Sequence, residues 1–269
     1  LSDHLSDLSR VYSELTWRLY DLLDQSLDPR GPDLLFTLAA DHLSVGSLVL
    51  DAGCRDAEHL IRLVRDYGVS GVGVDPVAWH IERATAAVAT AGLEDRIDLL
   101  LGVMQTLPYP DGHFDFVWCR DVLEQVDELY AALEECARVR KPAGRMLVYT
   151  VFATDRVAPQ EAAMMSRHLG NVPANLDKSH VEGAFGAADL IIERRVAIGT
   201  EWREYAEERT KPASKALLRL ARLRRQKETV IASYGEDIYD HVQANLHWEV
   251  HQFLGKLQPA LYILRRREA

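Results

Sequence analysis

The sequence predicts an α/β protein built on a doubly wound, mostly parallel sheet of seven strands, with a helical prefix before the sheet and a helical cap inserted before the last strand. Three observations predict it. Short apolar runs closed by an acid or a glycine alternate with amphipathic helical segments, the pattern of strands buried on both faces and joined by crossover helices. The 269 residues, 48% of them hydrophobic, are enough for one sizeable core and cramped for two. A helical pattern over residues 201 to 257 is far too long to be a simple connection.

Residues Leu5 to Leu43 carry apolar positions at helical spacing (Leu5, Leu8, Val11, Tyr12, Leu15, Leu19), broken at Asp28-Pro29-Arg30-Gly31-Pro32, where two prolines and a glycine end one helix and begin another. Ser47 to Asp51 is the first buried strand and hands over to a helix at about Asp56 to Tyr67. Gly71 to Asp75 is the second, followed by a helix from Val77 to Ala91; Arg96 to Leu101 and Phe114 to Cys119 are the third and fourth. A helix from about Val126 to Val139 stops at Lys141-Pro142-Ala143-Gly144, before a fifth strand from Arg145 to Phe152. Helices are predicted at Pro159 to Leu169 and Val181 to Ala187, with a loop between them, then a strand at Leu190 to Ile198 and a final one at Ala260 to Arg265. The predicted division is a prefix (1–44), a core (45–200), a cap (201–257) and a final core strand (258–269).

The formal net charge of −10 makes nucleic acid and anionic membrane poor partners, because the average field repels both. Cys54, Cys119 and Cys136 are scattered and odd in number, which argues against a disulfide scaffold and a structural zinc site and for a reducing cytoplasm. No run approaches the length needed to span a bilayer, and the start has no signal-peptide pattern. One basic stretch, Lys215 to Lys227, is read as a solvated helix face packed on the core, with a partner or anionic-ligand surface as the alternative.

In an open parallel sheet, ligands sit at the carboxyl ends of the strands near the first. Gly53 follows the first strand directly, where a missing Cβ lets the backbone approach a ligand. Asp75, 24 residues beyond Asp51, ends the second, where a carboxylate can accept both hydroxyls of an adenosine ribose. Together they suggest a nucleoside-containing cofactor.

Over residues 45 to 153 the chain resembles the class I S-adenosylmethionine-dependent methyltransferases, in particular the small-molecule branch related to ubiquinone and menaquinone biosynthesis enzymes. Four segments match in order: VLDAGCRDA (49 to 57), GVGVDP (71 to 76), LPYPDGHFDFVWCRDVLEQV (107 to 126) and RKPAGRMLV (140 to 148). The resemblance implies a Rossmann-like fold with S-adenosyl-L-methionine as cofactor. It also implies that Asp51, Ala52, Gly53, Cys54 and Arg55 surround the methionine part, that Asp75 holds the ribose and that Pro76 lines the adenine. Val103 and Met104 follow the third strand beside the adenine, and Cys119 and Arg120 sit beside the sulfonium and the substrate entrance.

The chain departs from the family's usual G-C-G-x-G at two of its glycines, replaced by Arg55 and Ala57; the arginine fits if its φ stays negative, and its guanidinium could then pair with the cofactor's carboxylate. Val103 replaces an acid that commonly accepts the adenine amino group, and Gln125 stands where relatives often have histidine.

The implied function is methyl transfer to the oxygen, nitrogen or carbon of a small metabolite or natural product. The alternatives are a non-methylating reaction with the same cofactor, such as cyclisation or decarboxylation, or a non-catalytic binding protein. No catalytic residue is identified, because an activated sulfonium asks mainly for in-line positioning in a water-poor pocket. Substrate-pocket candidates are Trp202 and Tyr205 after the sixth strand, His247, and His180 after the fifth; for each the competing reading is capping, packing or exposure. His247 and His251 have a metal-capable spacing but no evident third ligand, so no metal is expected. Tyr12, Trp17 and Tyr20 either close over the cofactor or pack on the core.

Overall fold

The computed structural model describes residues 2–267, so the last two residues of the predicted final segment lie outside the described residues. The prefix forms α1 (Ser2–Val11), α2 (Glu14–Leu23) and α3 (Asp33–Ala40). Then β1 (Leu48–Ala52), α4 (Glu58–Tyr67), β2 (Ser70–Asp75), α5 (Ala78–Ala91) and β3 (Ile97–Leu101) build one half of the sheet. The other half begins with β4 (Phe114–Arg120), α6 (Leu129–Val139) and β5 (Arg140–Ala153). It continues through α7 (Pro159–Leu169), α8 (Lys178–Ala187) and β6 (Leu190–Ala197). Four helices, α9 (Glu201–Thr210), α10 (Pro212–Arg225), α11 (Lys227–Tyr234) and α12 (Glu236–Phe253), precede β7 (Leu257–Arg266).

The seven strands lie in the order β3-β2-β1-β4-β5-β7-β6. The pairings among β1 to β5 are parallel, whereas β7 runs antiparallel to both neighbours, β5 and β6. This is the mostly parallel, doubly wound α/β sheet that the alternating pattern predicts. One face packs Leu50, Val117, Met146 and Tyr262 against α6 and α8, and the other packs Val49, Phe116, Trp118 and Leu147 against α3 and α4.

Three differences from the sequence reading have physical causes. The helix expected from Val126 is delayed: a short 3-10 turn, Leu123–Gln125, comes first, and α6 starts at Leu129. Asn175 Nδ2 donates to the carbonyls of Leu123 and Val126, both at 2.7 Å, and so draws those acceptors away from a helical ladder. The long helical stretch breaks at Lys211 and Gly235, both with positive φ, and also at Gln226, whose φ is −111°. In the prefix no residue of α2 is buried, and Tyr12, Trp17 and Tyr20 are exposed, so these aromatics neither pack on the core nor line the cavity described below. In the basic segment, Ala216 and Leu220 pack with Leu246 of α12, whereas Leu217 and Leu218 stay exposed. Among the described residues, no helix is long and apolar enough to cross a membrane.

Candidate active site

A cavity of about 520 Å³ opens at the carboxyl ends of β1, β2 and β4. Its size is within the roughly 300 to 1,000 Å³ usual for small-molecule sites. Its wall begins with the loop after β1. The N–H groups of Gly53 and Cys54 both donate to the carbonyl of Val74, at 2.8 and 3.0 Å, folding the loop back over β2. Gly53 has φ +83°, and a Cβ there would stand 2.3 Å from Cγ2 of Val122, so no other residue fits without displacing the β4 loop.

The same turn continues through Arg55 at φ +49° and Ala57 at φ +58°. The condition of a negative φ at Arg55 is therefore not met: both residues that replace family glycines hold the left-handed conformation that glycine holds without strain. The reason is visible one bond away, where the N–H of Arg55 donates to Oδ2 of Asp75 at 3.0 Å. The Arg55 guanidinium is two-thirds exposed and leans on Asp56 at 3.4 Å.

Asp75 is 5% exposed and holds the end of β2 together. Besides Arg55, its carboxylate accepts the N–H of Val77 at 3.0 Å and meets Nδ1 of His80 at 2.9 Å, both at Oδ1. An ionised carboxylate offers about four lone-pair sites, so capacity remains for a further donor.

Asp51, at the end of β1, is buried, and desolvation pushes its carboxyl up to about 7 although Arg120 pulls it down. Arg120 ends β4, and its Nη1 contacts Nε2 of His59 at 3.0 Å. A guanidinium can only donate, so Nε2 accepts and the imidazole proton sits on Nδ1. Burial, then the charges of Arg120 and Arg55, push His59 down to about 3, which keeps it neutral. Phe36 and Trp118 pack on its ring at 5.7 and 5.6 Å.

Beyond Arg120 comes Asp121, at φ +55°, with Oδ2 3.4 Å from the Arg120 guanidinium. Nearly half of its side chain is open and it lines the cavity; desolvation raises its pKa against the pull of Arg120 and Arg203. Glu124 lies behind it, fully enclosed, accepting from the Thr150 hydroxyl at 2.9 Å and the N–H of Val151 at 2.5 Å. Burial and then the charge of Asp121 push Glu124 up to about 7.

Of the residues singled out in the sequence, Asp51, Gly53, Cys54, Arg55, Asp75, Pro76, Val103, Met104 and Arg120 come together around this cavity. Ala52 and Cys119 do not line it; both are fully buried in their strands. None of the four substrate-pocket candidates lines it either. Trp202 is buried and stacks on Tyr149, with ring centroids 4.9 Å apart. Tyr205 covers Gly31, at whose position a Cβ would meet the ring at 2.6 Å. His247 contacts Arg224 at 3.4 Å, and the N–H of His180 is bound by Asp177 at the start of α8. Among the described residues, no group of three His, Cys, Asp or Glu side chains is placed to hold a metal ion. His59, His80 and Asp121 line the cavity and were not anticipated; their one sequence signal is a position within a few residues of a strand's carboxyl end.

Residues 50–148 match the family described as methyltransferase domain. The chain is 31% identical over 140 residues to 27-O-demethylrifamycin SV methyltransferase of Amycolatopsis mediterranei, covering 52% of this chain and 46% of that protein. It is 26% identical over 189 residues to Methyltransferase GfsG of Streptomyces halstedii, covering 66% of this chain and 62% of that one. Among solved structures, the [4+2]-cyclase SpnF superposes with a TM-score of 0.69 at 20% identity, over 88% of this chain and 81% of that one, a likeness of fold. The chain thus spans about half to two-thirds of the length of these two curated relatives. The matched segment, residues 50–148, is a methyltransferase domain of the class I S-adenosylmethionine-dependent kind.

Proposed function

We propose that this protein binds S-adenosyl-L-methionine in the cavity at the ends of β1, β2 and β4 and transfers its methyl group to the oxygen, nitrogen or carbon of a small molecule. The observation that carries the reading is the convergence of the Gly53 turn, the Asp75 carboxylate and the Arg120–Asp121 pair on one cavity. When bound, the cofactor supplies an electrophilic methyl on a sulfonium. The chain's own residues bind and orient. Asp75 keeps acceptor capacity for ribose hydroxyls, and Pro76, Val103 and Met104 line the purine end. Asp51, poised near neutrality, is suited to holding an ammonium group, and Arg120, kept in place by neutral His59, is suited to a carboxylate.

At the acceptor end, Asp121 is the side chain best placed to accept a proton or hydrogen bond from a hydroxyl or amine: it faces the cavity, and its surroundings favour the protonated form. The glycine departures do not remove the loop, since Arg55 and Ala57 hold the conformation glycine would have. Residues 1–44 then form a prefix, 45–200 with 258–269 the cofactor-binding core, and 201–257 a cap. Three free buried cysteines support a reducing, cytoplasmic location, and the acidic net charge supports a small-molecule rather than a nucleic-acid or anionic-membrane partner.

Calorimetric titration with S-adenosylmethionine and S-adenosylhomocysteine tests the binding step; no heat and no stabilisation with either compound sinks the reading. Release of S-adenosylhomocysteine dependent on an acceptor, with a mass gain of one methylene on that acceptor, tests the transfer. Acceptor conversion without release of S-adenosylhomocysteine would point to a non-methylating reaction instead.

A further inference from the structure

At the opposite end of the sheet, where β4 and β5 begin and antiparallel β7 ends, a second cavity of about 770 Å³ is walled in part by Arg138, Arg140 and Arg266. Arg140 is 1% exposed. Its Nη1 donates to the carbonyls of Lys141 at 3.1 Å and Gly144 at 2.6 Å, but Nε and Nη2 have no partner. The charges felt most strongly beside it are cations, Arg145 and Arg266, and burial together with them lowers its pKa to about 10. The acids on the same wall are engaged elsewhere. Glu135 and Asp111 hold Arg138, Glu134 accepts from the Tyr130 hydroxyl, and Asp189 faces Arg267.

The two free groups are not an arbitrary pair. Nε–H and Nη2–H form the edge of a guanidinium that grips a carboxylate with two parallel hydrogen bonds. This protein uses that edge tightly in Arg30 on Glu201, Arg138 on Glu135 and Arg145 on Glu193, and more loosely in Arg55 on Asp56. In Arg140 the same edge is closed to solvent and met by no acceptor among the described residues, so a ligand in the adjoining cavity meets it only when the wall beside it gives way. An ionised guanidinium left so is strongly unfavourable, whereas the same group facing an oxyanion is a tight clamp.

We propose that this second cavity is a binding site for a carboxylate-bearing small molecule, anchored bidentately by Arg140 and distinct from the cavity at the carboxyl ends of the strands. Arg266 on the same wall adds positive charge, and the acids there suit a ligand that also carries hydroxyl or amino donors. The site does not depend on the methyltransferase reading.

The test follows thermal unfolding of the whole protein with acetate, succinate or inorganic phosphate, each against chloride at matched ionic strength, in wild type, Arg140→Leu and Arg140→Met. Expected is a saturable rise in wild-type Tm with a carboxylate, roughly 5 to 10 °C at 100-fold excess over Kd, and its loss in both variants. Identical curves in carboxylate and chloride would overturn the site. A response to phosphate alone would overturn its carboxylate class, and a carboxylate response that persists in both variants would overturn Arg140 as its anchor.

Discussion

Replacing Arg55 by glycine is expected to stabilise the protein, although it deletes a charged side chain from the rim of the active-site cavity. At φ +49° an L-residue carries a strain of roughly 1 to 2 kcal/mol that glycine does not. Against this, glycine gives the unfolded chain extra freedom, about 0.4 to 1 kcal/mol. Little else is lost, because the guanidinium is mostly exposed and its contact with Asp56, at 3.4 Å, is long. The balance is about 1 kcal/mol in favour of glycine, or roughly 2 to 4 °C in Tm.

Arg55→Ala is the control, since alanine keeps the strain and removes the same guanidinium; it is expected to melt within a degree or two of wild type. Ala57→Gly is expected to be nearly neutral, because Ala57 is fully buried and its lost methyl, worth about 0.8 kcal/mol, offsets the relief at φ +58°. The assay is chemical unfolding of the three variants side by side. If Arg55→Gly proves no more stable than Arg55→Ala, the left-handed strain assigned to this loop is wrong.

The carboxyl of Asp51 is raised from 3.8 to about 7 in the folded protein, so the unfolded state loses that proton first. Its contribution is therefore fully present below about pH 4 and lost as pH rises through 7, roughly 4 kcal/mol in all; the ligand-free Tm is expected to fall over that window, and Asp51→Asn to flatten the profile. His59→Leu removes the acceptor of Arg120 and is expected to weaken S-adenosylmethionine binding by about 1.5 to 3 kcal/mol, with His59→Gln recovering part of it; equal affinities by calorimetry would detach His59 from the site. With any acceptor that the wild type methylates, Asp121→Asn is expected to lower kcat by about 100-fold or more while leaving cofactor affinity within a few-fold; an unchanged kcat would leave proton removal to solvent or another group.

The sheet and the wall of the cavity at the ends of β1 and β2 were legible because they are written locally. A buried strand that ends in an acid and a glycine, as at Asp51 to Gly53 and at Asp75, marks both the element and the point where the backbone can face a ligand. The side chains proposed for a substrate pocket were not read correctly, and Trp202 shows why. It comes soon after β6, as Asp121 comes after β4, but β7 inserts between β5 and β6, so the end of β6 lies at the edge of the sheet. Its indole is used as packing against Tyr149. His59 and His80 failed in the opposite sense: each sits in an early turn of an ordinary helix, and whether such a side chain faces the cavity depends on how the helix rolls on the sheet.

The loop after β1 also shows what a glycine pattern stands for. Three glycines are the cheapest way to hold three left-handed residues, but in this chain the conformation at Arg55 is imposed by a hydrogen bond to Asp75, which any backbone N–H can make. Strain and bond are then two sides of one constraint, and removing the bond should release the strain. In an Asp75→Ala background the loop is free to return Arg55 to an ordinary φ, so Arg55→Gly should lose its stabilising effect and keep only the cost of a more flexible unfolded chain. A double-mutant cycle is expected to show a coupling of about 1 kcal/mol between positions that touch only through a backbone N–H. Strict additivity would mean that the left-handed turn is fixed by the Gly53 and Cys54 bonds to Val74 alone, and that Asp75 merely accepts a donor already held in place.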